Sequence, residues 1–170
     1  MLLRSIIVAI TLAVLAGAAA GAQAGAAEPT VGCDRIVLRD GSGTADGFRI
    51  VLDAVSVPGA RQLARETTAE RSPSGRWYRS AGLAVRAGTS SVSATVPEGW
   101  RDRVALSWGG SRPASTIRFA SCAAADGGAW NYFSGGIHLS RRADCVPLQV
   151  TVGGMTTTVR VGVGRFCGRL

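Results

Sequence analysis

The chain has 170 residues and a formal charge of +8, and all 19 of its basic side chains are arginines. This length suits one compact domain and leaves little room for two separate cores. The arginines are scattered, with a single adjacent pair at Arg141–Arg142, and they do not interleave with aromatic residues, which disfavours a nucleic-acid-binding protein. The charge predicts attraction to acidic polymers or anionic surfaces.

The N-terminus has the pattern of a secretory signal peptide. Arg4 gives a short basic start, Ile6–Ala16 is an apolar run, and Ala22–Ala24 offers small residues for cleavage. The apolar run is shorter than the roughly 20 residues that a membrane-spanning helix needs. The sequence therefore predicts a cleaved signal peptide over residues 1–24, no transmembrane helix after cleavage, and a protein that is secreted or associated with the cell envelope.

Four widely spaced cysteines follow the predicted cleavage site: Cys33, Cys122, Cys145 and Cys167. In an exported chain, an even number of such cysteines predicts disulfides. Three pairings are possible, and we favour Cys122 with Cys145 and Cys33 with Cys167. Zinc is disfavoured because the chain has no Cys-x-x-Cys pair and only one histidine, so we predict neither a metal nor a cofactor site.

Short β-branched stretches separated by Gly, Pro, Ser and Asp predict an all-β fold. We expect a short flexible N-terminus over residues 25–32 and then one domain over residues 33–170. The predicted strands are 34–39, 48–53, 83–87, 92–96, 104–108, 116–122, 145–152 and 157–163, and 58–80 is predicted to be a long loop. The last two strands flank the glycine-containing segment Gly153–Thr156, which predicts a β-hairpin. About eight strands at this spacing favour a disulfide-stabilised, two-sheet antiparallel β-sandwich, immunoglobulin-like or jelly-roll-like, with a small β-barrel as the alternative.

Several motifs in the second half of the chain resemble one family. They are Trp108–Gly109, Trp130–Asn131–x–Phe133, Gly135–Gly136, Cys145–Val146–Pro147–Leu148 and the segment from Val159 to Cys167. Together they are similar to a group of uncharacterised secreted proteins from high-GC actinobacteria. The resemblance implies export and an all-β fold. That group has no assigned activity, so the resemblance implies no catalytic residue.

The segment between Cys122 and Cys145 carries the residues that we predict to contact a ligand. Aromatic rings and guanidinium groups are concentrated there and can stack on sugars or bind acidic groups. The candidates are Trp130, Tyr132, His138, Arg141 and Arg142. We therefore expect a secreted or envelope-associated, non-catalytic domain that binds an acidic cell-envelope polymer or a glycan.

Two other functions stay open. The first is a secreted hydrolase that uses His138, the only histidine, with a serine or an acid. Because Ile137 and Leu139 point to the opposite face of a strand, we expect His138 to be exposed, and no Gly-x-Ser-x-Gly motif accompanies it. The second is a structural or partner-binding extracellular domain. The sequence assigns no catalytic residue.

Overall fold

The structure is a computed structural model that describes residues 27–40, 48–59, 63–64, 70–72, 74–124 and 128–168. The predicted signal peptide, residues 1–24, lies outside these residues.

The described part of the chain is all-β. It forms fourteen strands, two of which have only two residues, together with two 3-10 turns and no α-helix. The turns are Cys33–Arg35 and Glu98–Trp100. The strands are β1 Thr30–Val31, β2 Leu38–Asp40, β3 Phe48–Val51, β4 Val55–Pro58, β5 Glu70–Arg71, β6 Trp77–Ser80, β7 Leu83–Arg86, β8 Val92–Thr95, β9 Val104–Trp108, β10 Thr116–Phe119, β11 Trp130–Phe133, β12 Gly135–Leu139, β13 Asp144–Val152 and β14 Met155–Val163. No helix among the described residues could cross a membrane.

The strands form three open sheets. Sheet A has the order β1-β10-β8-β13-β14, sheet B the order β2-β11-β7-β4-β3, and sheet C the order β5-β6-β12-β9. The prediction of an all-β fold is confirmed. The predictions of two sheets, of about eight strands and, as the alternative, of a small barrel are wrong. The third sheet is sheet C, in which β5, β6 and β12 come from segments without a predicted strand. The other strands that were not predicted are β1 in sheet A and β4 and β11 in sheet B.

One hydrophobic core draws on all three sheets. Val150 in sheet A, Leu83 in sheet B and Leu106 in sheet C are all fully buried members of the same cluster. Along β13, buried and half-buried residues alternate, as expected when one face of a strand packs on a core. The three sheets therefore pack around a shared interior.

The hairpin predicted near the C-terminus is present. β13 and β14 pair in antiparallel register from Asp144↔Val163 to Val152↔Met155. The turn contains only Gly153 and Gly154, with φ angles of 56° and 89°. Positive φ angles at both residues of a two-residue loop are typical of a type I′ turn. The twist of this turn matches that of the two strands, and glycine is favoured because it adopts positive φ without strain. The loop is therefore shorter than the Gly153–Thr156 segment that the sequence predicted.

Part of the segment expected to be a flexible N-terminus is instead strand β1. Thr30 and Val31 pair in parallel with Arg118 and Phe119 of β10. Val31 is buried in the core at 2% exposure. The expectation of a flexible segment over residues 25–32 is therefore wrong at Thr30–Val31. Strand pairing with β10 and burial of the Val31 side chain hold these two residues in sheet A.

Sheets B and C are joined by a bent pair of strands that we call the corner ribbon, residues 77–86 paired with residues 130–139. Ser80 pairs with Gly136 on the sheet C side of the bend, and Leu83 pairs with Phe133 on the sheet B side. Each strand has two residues between these pairs, so the register continues through the bend without a bulge. At the bend, the Ala81 amide donates to the Gly135 carbonyl at 2.8 Å. Strands that bend from one sheet into another are a known way to build a corner between sheets.

Two disulfides connect the cysteines as Cys33–Cys122 and Cys145–Cys167, with Cα–Cα distances of 5.5 and 5.3 Å. All four cysteines are bonded as predicted, but the favoured pairing is wrong. Sheet A explains the result. Parallel β1 and β10 bring Cys33 and Cys122 out at one end, while the β13–β14 hairpin returns the chain to Cys145.

The two disulfides should contribute unequally to stability. Replacing Cys33 and Cys122 by Ala opens a loop with a sequence separation of 89, whereas replacing Cys145 and Cys167 opens one of 22. In the chain-entropy model the losses are about 4–5 and about 3 kcal/mol. Urea unfolding of both double variants should give this order. Non-reducing peptide mapping that recovers Cys33 linked to Cys167 would contradict the assignment.

Candidate functional site

The two faces of sheet C have different roles. On β12, Ile137 and Leu139 face the shared core, and each is only 1% exposed. His138 points to the other face, directly opposite Tyr78 of β6 and Ala105 of β9. Because directly paired residues of neighbouring strands share a face, Tyr78 and His138 lie side by side on the outer face.

An open pocket of about 370 Å³ lies on this outer face. A segment after β9 helps to form it, because Ala114 pairs with Leu106 and the Trp108 amide donates to Ser111 Oγ at 3.2 Å. Hydroxyl groups dominate the polar lining, with one guanidinium and one imidazole. The lining residues are Arg71, Ser72, Tyr78, Ser107, Ser111, Pro113 and His138.

His138 is held tightly at this pocket. Its Nε2 lies 2.8 Å from Ser107 Oγ, and its ring centroid lies 4.8 Å from that of Tyr78. Its Nδ1 is buried and has no hydrogen-bond partner among the described residues. The side chain is only 8% exposed, so the prediction of an exposed histidine is wrong. The strand alternation was interpreted correctly, but Tyr78 and its neighbours cover the outward face.

The surroundings of His138 keep its imidazole neutral. Burial, and then the positive charge of Arg76, lower the pKa of His138 below its usual 6.5. Burial also raises the pKa of Tyr78, and a hydrogen bond from Ser80 opposes this shift. At neutral pH the pocket therefore presents an uncharged imidazole and an uncharged phenol.

Gly136 sets the close spacing of β6 and β12 beneath the pocket. A Cβ at this position would overlap the Arg79 carbonyl oxygen and approach Cε2 of Tyr78 to 2.8 Å. The Tyr78 ring therefore leans over the glycine as well as against His138. Ser107, the direct partner of Gly136 on β9, lies diagonal to His138 and within its reach.

Guanidinium groups surround an indole at the edge of sheet C. The Arg71 guanidinium lies 5.6 Å from the Trp77 ring centroid and that of Arg142 lies 5.9 Å from it. Both distances are within the range of cation–π attraction. Because Arg71 also lines the pocket, it connects the pocket to this group, which we call the arginine rim: Arg71, Trp77 and Arg142.

The structure separates the five residues predicted to contact a ligand. Trp130 is buried at 4% exposure in sheet B, with the Arg86 guanidinium 4.8 Å from its ring centroid, and Tyr132 lies over Gly82 in the same sheet. His138 lies on β12 of sheet C, and Arg142 lies beside Trp77 at the edge of that sheet. Arg141 is exposed in the turn between β12 and β13.

The segment between Cys122 and Cys145 is not closed by the disulfide that the sequence favoured. Those cysteines are not bonded to each other, and the segment between them contributes β11 and β12. Ser107, Tyr78 and Arg71 line the pocket but were not among the residues predicted to contact a ligand. Tyr78 and Arg71 fell in a predicted loop, and the link from Ser107 to His138 is a cross-strand contact that depends on strand order.

No group of three or more His, Cys, Asp or Glu side chains within the described ranges could hold a metal ion. The pocket chemistry is instead that of hydroxyls, one imidazole and one guanidinium, which suits a polar organic ligand.

No protein-family model, curated protein or solved structure matches this chain. The resemblance to secreted actinobacterial proteins therefore stays an expectation from the sequence.

The close packing at Gly136 predicts that alanine lowers stability more at this position than at an open glycine. Gly136→Ala should destabilise the fold by about 1–3 kcal/mol, because the added methyl group overlaps backbone of β6. Gly99→Ala is the matched control, since a Cβ there meets nothing within 4 Å. Chemical denaturation of both variants measures the difference. Equal stability of the two variants would show that β6 and β12 are farther apart than in this structure.

The lowered pKa of His138 predicts how stability depends on pH. As the pH falls, the unfolded chain takes up its imidazole proton near 6.5, while the folded chain resists protonation to lower pH. The free energy of unfolding should therefore decrease as the pH falls below about 6.5, by at most about 1.4 kcal/mol per pH unit. Above about pH 6.5, His138 should contribute no pH dependence to stability.

His138→Gln should remove this slope between about pH 7 and pH 5, because the chain has no other histidine. Denaturant unfolding of the wild type and the variant at several pH values measures it. An imidazole pKa at or above 6.5 in an NMR titration would contradict the buried, neutral state.

Proposed function

We propose that this protein is secreted or envelope-associated and binds an acidic polymer or glycan through the outer face and edge of sheet C. The observation that carries the proposal is the arrangement of a hydroxyl-lined pocket beside the arginine rim, joined by Arg71. Arginine binds carboxylate and phosphate groups through its planar fork, and hydroxyl and aromatic groups suit sugars.

The size and charge of the site support a polar ligand. A volume of about 370 Å³ falls within the range of small-ligand pockets and is large enough for one unit of a polymer. The full chain carries +8, and the +7 that remains when Arg4 leaves with the predicted signal peptide draws anionic polymers toward the protein before specific contacts form. The rim would contact acidic groups, and the pocket would take a neighbouring sugar unit.

The proposed location rests on two features. Residues 1–24 have the pattern of a signal peptide, and two disulfides are typical of an oxidising compartment. Purely structural or partner-binding domains share both features. What favours ligand binding over that alternative is the pocket with a nearly buried histidine in its wall.

The experiment is co-sedimentation of the oxidised domain with purified cell-envelope material over a salt series. Arg71→Ala combined with Arg142→Ala should weaken binding at least tenfold, because it removes both guanidinium groups of the rim. The control pairs Arg49→Ala with Arg160→Ala, which removes the same charge from exposed sites in sheets B and A. The control should bind like the wild type.

Salt separates a specific site from diffuse attraction. Binding by the wild type should persist at about 0.5 M salt, where the Debye length is only a few Å. Equal losses in the rim variant and the control, or binding that vanishes with modest salt in all proteins, would reduce the interaction to net charge and contradict the proposal.

A further inference from the structure

The Ser107–His138 contact is a hydrogen bond between a hydroxyl and an imidazole in the wall of the pocket. Ser107 Oγ lies 2.8 Å from His138 Nε2, and both residues line the same open pocket. This is the distance at which a histidine can remove the proton from a serine hydroxyl. The two side chains lie on neighbouring strands, so the sheet fixes their separation.

We propose that Ser107 and His138 are the nucleophile and the general base of a site that cleaves acyl esters. Ser107 Oγ attacks the ester carbonyl carbon, and its proton passes to His138 Nε2. The ester C–O bond then breaks, and the departing alcohol takes that proton. Water attacks the acyl group on Ser107 and gives a proton to Nε2, the acyl–Oγ bond breaks, and Ser107 regains the proton as the carboxylic acid leaves.

The environment of His138 fits the base of this reaction. To accept the serine proton, the imidazole must be neutral with its own proton on Nδ1. Burial and the charge of Arg76 keep it neutral. The Tyr78 ring and the β12 backbone orient the imidazole, a task that an acidic side chain on Nδ1 performs in a serine triad.

The same pocket contains donors for the negative charge that develops on the carbonyl oxygen. Ser111 Oγ accepts the Trp108 amide, which leaves its hydroxyl proton to donate. The Arg71 guanidinium also lines the pocket. Donors of this kind stabilise the tetrahedral intermediate of acyl transfer.

The substrate class follows from the same features. The lowered basicity of His138 and the absence of an acidic partner on Nδ1 among the described residues make this a weaker base than that of a triad. Such a pair suits esters, whose alcohols leave more readily than amines. The volume of about 370 Å³ suits a small acyl group on a polar alcohol. Both proposals use this pocket, but they are tested at different residues: catalysis at Ser107 and His138, and binding at Arg71 and Arg142 of the arginine rim.

The test is covalent labelling of the native, oxidised protein with an alkyl fluorophosphonate. Ser107 should attack phosphorus and release fluoride, so peptide mass spectrometry should find the label on the tryptic peptide that begins at Val104, with fragmentation assigning it to Ser107. The wild type should also hydrolyse p-nitrophenyl acetate. Ser107→Ala should abolish labelling, and His138→Gln should slow both reactions at least tenfold.

Ser93→Ala is the matched control, because Ser93 is a half-buried strand serine of sheet A. It should leave labelling and hydrolysis unchanged. Ser107→Ala removes only one hydroxyl, so the test does not depend on whether His138→Gln folds. Absence of label on the native wild type, or equal labelling of Ser107→Ala, would overturn the proposal. Either result would leave salt-resistant envelope binding unaffected, so the two proposals fail separately.

Discussion

The close contact of strands at the bend of the corner ribbon determines most of this architecture. There, the Ala81 carbonyl accepts a hydrogen bond of 2.8 Å from the buried indole Nε1 of Trp108, while the Ala81 amide donates to Gly135. These bonds satisfy backbone groups at the point where the two paired strands cross, in opposite directions, between sheet B and sheet C. Without partners, buried backbone groups would oppose the bend. Because the register is maintained through it, β12 lies beside β6, and β9 pairs with the other edge of β12.

That placement produces the chemistry of the outer face. β12 has neighbours on both sides, so His138 lies between the Tyr78 ring and the residues of β9 even though it points away from the core. Burial makes the imidazole neutral, and the diagonal position of Ser107 gives it one hydrogen-bond partner. The arginine rim lies at the free edge of the same sheet. A neutral, hydroxyl-rich pocket therefore lies beside concentrated positive charge, and this combination underlies both proposals.

The sequence predicted what local patterns determine. β-branched alternation located most strands of sheets A and B, the glycine pair located the hairpin, and cysteine spacing indicated two disulfides. It failed where distant segments decide the result. β5, β6, β11 and β12 lie in segments rich in Gly, Arg and aromatic residues, whose strand state depends on partners elsewhere in the chain. The disulfide pairing depends on parallel β1 and β10, and the burial of His138 depends on strand order. Trp130 and Tyr132, which were predicted to contact a ligand, lie in sheet B and do not line the pocket on sheet C.

The most direct test follows the single imidazole by NMR while soluble fragments of acidic cell-envelope polymer are added at about 0.5 M salt, where diffuse attraction is screened. One histidine in the sequence means one imidazole to assign. We expect the His138 resonances to shift in a saturable manner with the same midpoint as binding measured on the whole protein, because the ligand enters the pocket that His138 lines. Fragments that bind without shifting the His138 resonances, or that do not bind at this salt concentration, would contradict a ligand site on the outer face of sheet C.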